Sequence, residues 1–592
     1  MATACISQRC GLCGFKIQKN DRIVAVMNDG RQSGEMSYNL SMTDQYGASF
    51  EECLGACPHR GGREVGCHAM CASLVPLASR ASLLKVLTYQ YEPSPFEVTR
   101  RMNWFHIQFA STSPIWRHAK PHLPQELRSQ IATHLLQGTA LRRYTVACTR
   151  ILPKDMESGS SRIRVSAEIW ARFIDFEGVR YISSLSNSPD DDHAESIFAP
   201  NTAQAVDSIY VAENHLGAMQ VLFCSSVKAP VVERRQGLWW RIIQLRGRCP
   251  VLVIQTDVRA LPLFSRYRTN VPQGVKLRTI MVESEEAGSH LTQSLWSVPP
   301  SEPLRLVQLE ARPPAAQLSM LACNEPGIAA YSVYWNCSIM LLHAHIPGED
   351  LTFYEGYQEG IWLHFPLKTG EKISEIWKHG QVESDLALIL KTNHSRVALF
   401  GPQSISQPLP LPTLIDLPPQ DRGSRFFFEH SPLGVCSLYF ETPKPAPPTN
   451  SSLTLPKPMS RQPKSFSESY FYTTADLDDI EMIVPCQRYI RGKRHIIGLL
   501  LQFPEGRQSC VGQVRLDSLG GPLRADGHQS IWLGFSKSDH RPFVSAVVLS
   551  KPRGNEGISW LEIQFYGTLE WWFTLRQCQV CYMGKSSPPT RL

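Results

Sequence analysis

The chain has 592 residues, 43% hydrophobic and 19% charged, which exceeds the size at which one core stops growing and predicts about two to four domains. Its formal charge of +7 is spread over dispersed Lys and Arg residues, so nucleic-acid binding is not indicated. Met1-Ala2-Thr3-Ala4-Cys5 shows no secretory pattern, and apolar runs such as Ile496 to Phe503 are too short to cross a bilayer as a helix. The expectation is an intracellular protein, cytoplasmic or nuclear, without a membrane partner. Its 17 cysteines then face a reducing compartment, where buried thiols and metal ligands outrank disulfides.

Cys5, Cys10, Cys13, Cys53, Cys57, Cys67 and Cys71 crowd the first tenth or so of the chain, marking residues 1–95 as a cysteine-rich, zinc-binding module. Cys10-Gly11-Leu12-Cys13 has the C-x2-C spacing of a zinc knuckle, with Gly11 permitting a tight turn. Ile23 to Val26 reads as a strand, and Asn28-Asp29-Gly30 as the turn of a hairpin. Cys67-His68-Ala69-Met70-Cys71 opens a segment with helical apolar spacing as far as Leu87. His68 and Cys71 share one face of a first helical turn and complete a tetrahedral site with Cys10 and Cys13. Cys67 with Cys71 is the alternative second pair, and Cys53, Cys57 and His59 with Cys5 form a conceivable second site. The order of knuckle, hairpin and ligand-bearing helix resembles a treble-clef zinc finger. Four protein ligands leave no open position, so the expected cofactor is structural zinc.

Residues 122–152, HLPQELRSQIATHLLQGTALRRYTVACTRIL, combine a Leu-Pro start, two amphipathic stripes and a Gly-containing break. Pro124 suits a first helical turn. Leu127, Ile131 and Leu135 recur at four-residue spacing on one face. Thr139 after the break is a candidate N-cap for a second helix carrying Leu141, Tyr144, Cys148 and Leu152. Leu123-Pro124, Glu126-Leu127, Ile131, Leu135, Leu141 and the Val146 to Arg150 ending resemble an F-box. Ala140 stands where that family carries an acidic residue, and no Trp follows Arg150. The resemblance implies a helical segment, assigned to 115–180, that docks on the adaptor subunit of an SCF-type ubiquitin ligase through Leu123, Pro124, Leu127, Ile131, Leu135 and Leu141. The rest of the chain would then hold an unknown protein substrate. The competing reading is a helical hairpin within a larger domain. Ala167 to Phe176 reads as one more helix.

Short β-like runs follow, dividing into a middle region, 181–330, and a carboxyl-terminal domain, 331–592. Gly360-Ile361-Trp362-Leu363-His364-Phe365 and Ser530-Ile531-Trp532-Leu533-Gly534-Phe535 share an I-W-L-x-F core, with Ile, Leu and Phe on one side of a strand and Trp on the other. His495 to Arg515 predicts a hairpin turning at Glu505-Gly506. Such strand pairs suit a sandwich, prism or propeller and faintly resemble lectin-like prisms. Pro443 to Ser467 is rich in Pro, Ser and Lys and predicts a mobile loop. Ser186 to Glu195 reads as an acidic surface loop whose spacing fits no calcium loop. Of the adjacent pairs Trp239-Trp240 and Trp571-Trp572, one member each should pack inward; the other packs too or meets a ligand.

No P-loop, dinucleotide-binding glycine motif, H-E-x-x-H or G-x-S-x-G elbow is present, so no enzyme is predicted. The expected fold class is an α+β multidomain protein: a treble-clef-like zinc module, a helical F-box-like segment and a predominantly antiparallel β-rich body. The arrangement resembles uncharacterised fungal F-box-like proteins, which implies a non-enzymatic substrate-recognition adaptor. A lectin-like or general protein-interaction protein is the alternative, and a β-rich hydrolase the third reading.

Overall fold

The computed structural model describes residues 4–587 apart from 28–30, 54–62, 78–79, 81–82, 85–86, 114–115, 117–122, 150–159, 190–192, 201–205, 226–229, 246–250, 257–275, 283–293, 312–316, 381–385, 404–410, 432, 446–452, 454, 464–467, 539–540 and 553–557. Among the described residues strands take 46% and helices 13%, so the α+β expectation is corrected to a mainly β protein. It comprises two compact units, Met1–Ser301 and Glu302–Leu592.

The first unit opens with strands β1 (Ala4–Ile6), β2 (Arg22–Val26), β3 (Met36–Ser37), β4 (Ser41–Thr43), β5 (Ser49–Glu52) and β6 (Arg63–His68), in sheet order β3-β2-β6-β1-β5-β4. β1 runs parallel to β5 and β6, and β2 antiparallel to β6 with Ile23 opposite His68 and Val24 opposite Cys67. Ile23, Val24, Ala25 and Val26 are all buried, because both faces of this strand are covered and its apolar residues have no solvent side to alternate with. The treble-clef expectation is thereby corrected. Strand β1 before the knuckle and the short strands after it enlarge the hairpin into a six-stranded mixed sheet, and the ligand-bearing helix α1 (Ala69–Ser73) has only five residues.

Helices α2 (Pro95–Thr112), α3 (Gln125–Leu135) and α4 (Thr139–Thr149) follow. Ser94 caps α2 by accepting from Glu97 N at 3.3 Å, and Pro95 occupies its first turn, a start that satisfies one orphan donor and omits another. Leu136 and Leu141 pack with Phe105 of α2, while Val146 of α4 enters the apolar cluster that also holds Cys10, Cys13 and Cys71. The expected helical F-box segment is therefore corrected as well: these helices are built into the core of a β-dominated unit and do not stand as a separate module.

Ala167 to Phe176 is not a helix. It supplies β8 (Ile169–Phe176), which lies between β9 (Val179–Ser186) and β10 (Glu195–Phe198). Buried Ile169 and Ala171 alternate with half-buried Trp170 and Arg172, and Glu177 (φ +50) with Gly178 (φ +74) makes the left-handed turn into β9. Two consecutive positive φ values are the geometry of a tight β-hairpin, and cross-strand pairing overrides local helical propensity here. β14 (Val251–Thr256) pairs β7 (Ser160–Arg164) and β15 (Leu277–Val282). β11 (Ser208–Asn214) pairs β12 (Gly217–Cys224) and β13 (Trp239–Gln244), which pairs β16 (Leu295–Trp296).

In the second unit, β17 (Arg305–Gln308) pairs 437–440, and β18 (Gln317–Cys323) pairs 424–429. β19 (Ala330–Trp335) lies between β20 (Ile339–His345) and β21 (Ile361–Pro366), antiparallel to both. Ile361, Leu363 and Phe365 join Ile531, Leu533 and Phe535 in one extended core, while Trp362 points to a separate aromatic cluster with Tyr334 and Tyr354. The 493–502 strand forms the expected hairpin with 508–512 around Pro504–Gly506.

The loop expected over Pro443 to Ser467 falls partly outside the described residues, and the described part forms neither helix nor strand. Met459 N and Ser460 N donate to Glu570 at 2.7 and 2.9 Å, and Trp572 Nε1 donates to Ser460 Oγ at 2.9 Å, which ties these two residues to the sheet. Asp190, Asp191 and Asp192 of the acidic loop lie outside the described residues. All four tryptophans of the adjacent pairs are buried, so neither pair offers the exposed aromatic surface a sugar would need.

Candidate metal centre

The knuckle is shaped by backbone geometry before any ligand is considered. Gly14 has φ +71, a region open to glycine without penalty, and Gly14 N donates to Cys10 O at 2.7 Å, closing the turn. Gly11 serves a different need: a Cβ there would sit 2.3 Å from Val65 Cγ1 and 2.6 Å from Leu84 Cδ2. Gly11 N also donates to Gly66 O at 2.9 Å, pinning the knuckle to β6. His68 ends β6 and Cys71 lies in α1, so the strand-to-helix junction presents both toward the knuckle.

Cys10, Cys13, His68 and Cys71 converge with one donor atom each, all within 4.8 Å of one another. His68 Nδ1 lies 3.5 Å from Cys13 Sγ and 3.7 Å from Cys71 Sγ, and His68 N donates to Cys10 Sγ at 3.4 Å. The four residues are at most 3% exposed. Burial pushes the Cys10 thiol up, but hydrogen bonding with Cys13, Cys67, Cys71 and His68 outweighs it and holds Cys10 well below its ordinary value. Burial, reinforced by Cys10, pushes Cys13 well up. Thiols crowded this closely without a cation resist becoming charged together, as the opposite shifts of Cys10 and Cys13 reflect. Three thiols and an imidazole are the donor set of a closed tetrahedral site, and the group can hold a metal ion.

The remote imidazole nitrogen is provided for as well. His68 Nε2 lies 3.3 Å from Asp21 Oδ2, close enough for an ion pair but without the alignment of a straight hydrogen bond. Asp21 is oriented by Gln18 N at 2.9 Å and by Arg142 of α4 at 3.3 Å. A carboxylate behind a ligating histidine favours the tautomer whose proton faces the carboxylate, leaving Nδ1 as the donor.

Cys67 is fully buried but falls outside the four-donor group. Adjacent residues at the end of a strand point to opposite faces, which separates Cys67 from His68. Its thiol is held well above its ordinary value by hydrogen bonding to Cys10 and then by burial. Cys5 and Cys53 are buried on the β1 and β5 side of the sheet; Cys57 and His59 lie outside the described residues.

Of the residues expected to dock a ligase adaptor, Leu127, Ile131 and Leu135 of α3 are 44%, 37% and 48% exposed, and Pro124 is exposed at the start of the helix. Leu123 is half-buried. Leu141 is core, packed with Phe105 and Leu136, because α4 turns that side toward α2. A second donor group, His343, His345 and Glu349, matches no sequence expectation. Its legible signal is the His-x-His alternation in the strand IMLLHAH.

No protein-family model and no curated protein matches this chain.

Proposed function

We propose that this protein is a non-catalytic binding protein whose first unit is folded around structural zinc and docks a protein partner through α3. The zinc reading rests on a closed set of three thiols and one imidazole with no place for a reacting water. The docking reading is carried by one observation: Leu127, Ile131 and Leu135 form an exposed apolar stripe on a helix whose other side, at Ala132, is fully buried. A Leu or Ile side chain contributes about 1.5–3 kcal/mol when fully buried. Three half-exposed ones therefore offer roughly 2–4 kcal/mol, a substantial share of the approximately 8 kcal/mol that a micromolar complex requires.

The F-box resemblance of the same stripe makes the adaptor subunit of an SCF-type ligase the partner to test, with an unknown protein as the substrate. Native full-length protein should recover adaptor and cullin from cell extract, and Leu127→Asp should abolish that recovery by placing a carboxylate in an apolar contact. Recovery of neither subunit by folded wild-type protein would refute the ligase reading.

A further inference from the structure

The polar cluster of the second unit has no part in zinc-dependent folding or in docking by α3. His343 and His345 alternate along β20, so strand geometry turns both imidazoles to one face of the sheet, with ring centroids 4.6 Å apart. Past His345 the chain reverses at Gly348, φ +79, and Glu349 N donates to Ile346 O at 3.2 Å. This turn carries the Glu349 carboxylate back over both rings. Oε2 lies 2.9 Å from His343 Nε2 and Oε1 2.5 Å from His345 Nδ1. Burial pushes the Glu349 carboxyl up, but the hydrogen bonds of the two histidines outweigh it and hold it at about 2.

A supporting layer fixes the rings. His345 Nε2 lies 2.7 Å from Ser332 Oγ, which lies 2.7 Å from His364 Nδ1. Ser332 is central because β19 places it opposite His343 on one neighbouring strand and His364 on the other. His343 stacks on Phe353 at 4.0 Å and 23°. Ser332 and His345 are enclosed, whereas His343 and Glu349 keep 17% and 19% of their side-chain surface. The accessible edge of the cluster is therefore the one between His343 and Glu349.

We propose that His343 Nε2, His345 Nδ1 and the Glu349 carboxylate form a second metal site, taking a zinc-class divalent cation and leaving one position open to water. Two imidazoles and one carboxylate are the protein ligands of an open, three-ligand zinc site, and nitrogen donors favour such ions over magnesium or calcium. The present contacts are hydrogen-bond lengths. On metal binding the proton on each metal-facing nitrogen moves to the other ring nitrogen or is released, and a cation with bonds of about 2.0–2.2 Å takes its place. His345 Nε2 then donates to Ser332 Oγ, and Ser332 donates to His364 Nδ1. Glu349, His345 and Ser332 also stand in the order of a nucleophile triad. However, Ser332 is 1% exposed and bonded to a second histidine, so an incoming group reaches the metal-facing edge instead.

Full-length protein freed of metal and dialysed against Co2+ tests the proposal. The expected result is one equivalent of cobalt without thiolate charge-transfer absorption, displaced by Zn2+ and lost in His343→Gln and in Glu349→Ala while circular dichroism is unchanged. Wild-type protein whose cobalt is entirely thiolate-bound would overturn it without recourse to any variant. So would a folded variant retaining the non-thiolate equivalent, or covalent labelling of Ser332 by a fluorophosphonate in protein that takes up no such cobalt. The thiolate signal reports separately on the Cys10 group, so failure of the first-unit zinc reading is distinguishable from failure here.

Discussion

Arg101 and Glu177 face each other as a bidentate ion pair inside the first unit, with Nε to Oε2 at 2.6 Å and Nη2 to Oε1 at 2.8 Å. Their side chains are only 5% and 4% exposed. Arg101 Nη1 also donates to Cys13 O, so one guanidinium ties α2 to the knuckle and to the β8–β9 turn. Burial would lower the pKa of Arg101, but Glu177 and Tyr89 outweigh it and raise it above its ordinary value.

Arg101→Met should destabilise the first unit by about 3–5 kcal/mol, because it strands a buried carboxylate. Adding Glu177→Gln should recover part of that loss by removing the stranded charge. Urea unfolding of the metal-loaded protein measures both, and a double variant no more stable than Arg101→Met would refute the pairing argument.

Zinc should co-purify with the protein, and removing it should lower the melting temperature of the first unit, since binding at a structural site is coupled to folding. Cys10→Ser and Cys71→Ser should reproduce that loss. Metal analysis of Cys67→Ser and His68→Ala decides the ligand set: metal retained in the former and lost in the latter supports His68, and the reverse supports Cys67.

Stability should fall on acidification through His495, a buried residue stacked on Phe543 at 3.7 Å. Burial, followed by Lys493 and Arg488, lowers its pKa to about 4. The unfolded chain takes up this proton near pH 6.5 and the folded chain only near 4, so the contribution is complete above about pH 6.5 and is lost as pH falls toward the folded value. The slope approaches one proton, about 1.4 kcal/mol per pH unit. Urea titrations of wild type and His495→Leu between pH 7 and 4 check it; equal slopes would exclude His495 as the source.

Leu127→Asp and Ile131→Asp should cost only about 1 kcal/mol each, since roughly half of each side chain is already buried, while removing partner capture. Leu141→Asp should instead cost several kcal/mol, on the order of 3–5 for a lost core side chain, because Leu141 of α4 packs with Phe105 of α2 and with Leu136. Thermal melts run beside the capture assay separate the two. A large loss of stability in Leu127→Asp would make the stripe a structural face.

Local chemistry was legible in the sequence wherever the deciding interaction lies within a few residues. The C-x2-C knuckle, the helical spacing of Leu127, Ile131 and Leu135, the Glu505-Gly506 hairpin and the opposite facing of Trp362 against Ile361 and Leu363 all follow from turn geometry and from periods of 3.6 or 2. Tertiary structure decided what depends on neighbours remote in sequence. Ile169 to Phe176 became a strand because Val179–Ser186 and Glu195–Phe198 pair with it. Leu141 became core because Phe105 covers it, and Cys67, although its thiol hydrogen-bonds with Cys10, stays outside the donor group that holds His68. His343, His345 and Glu349 met only when β20 had its register and the Gly348 turn had closed. Register and burial arise from pairing across the fold, and no local period encodes them.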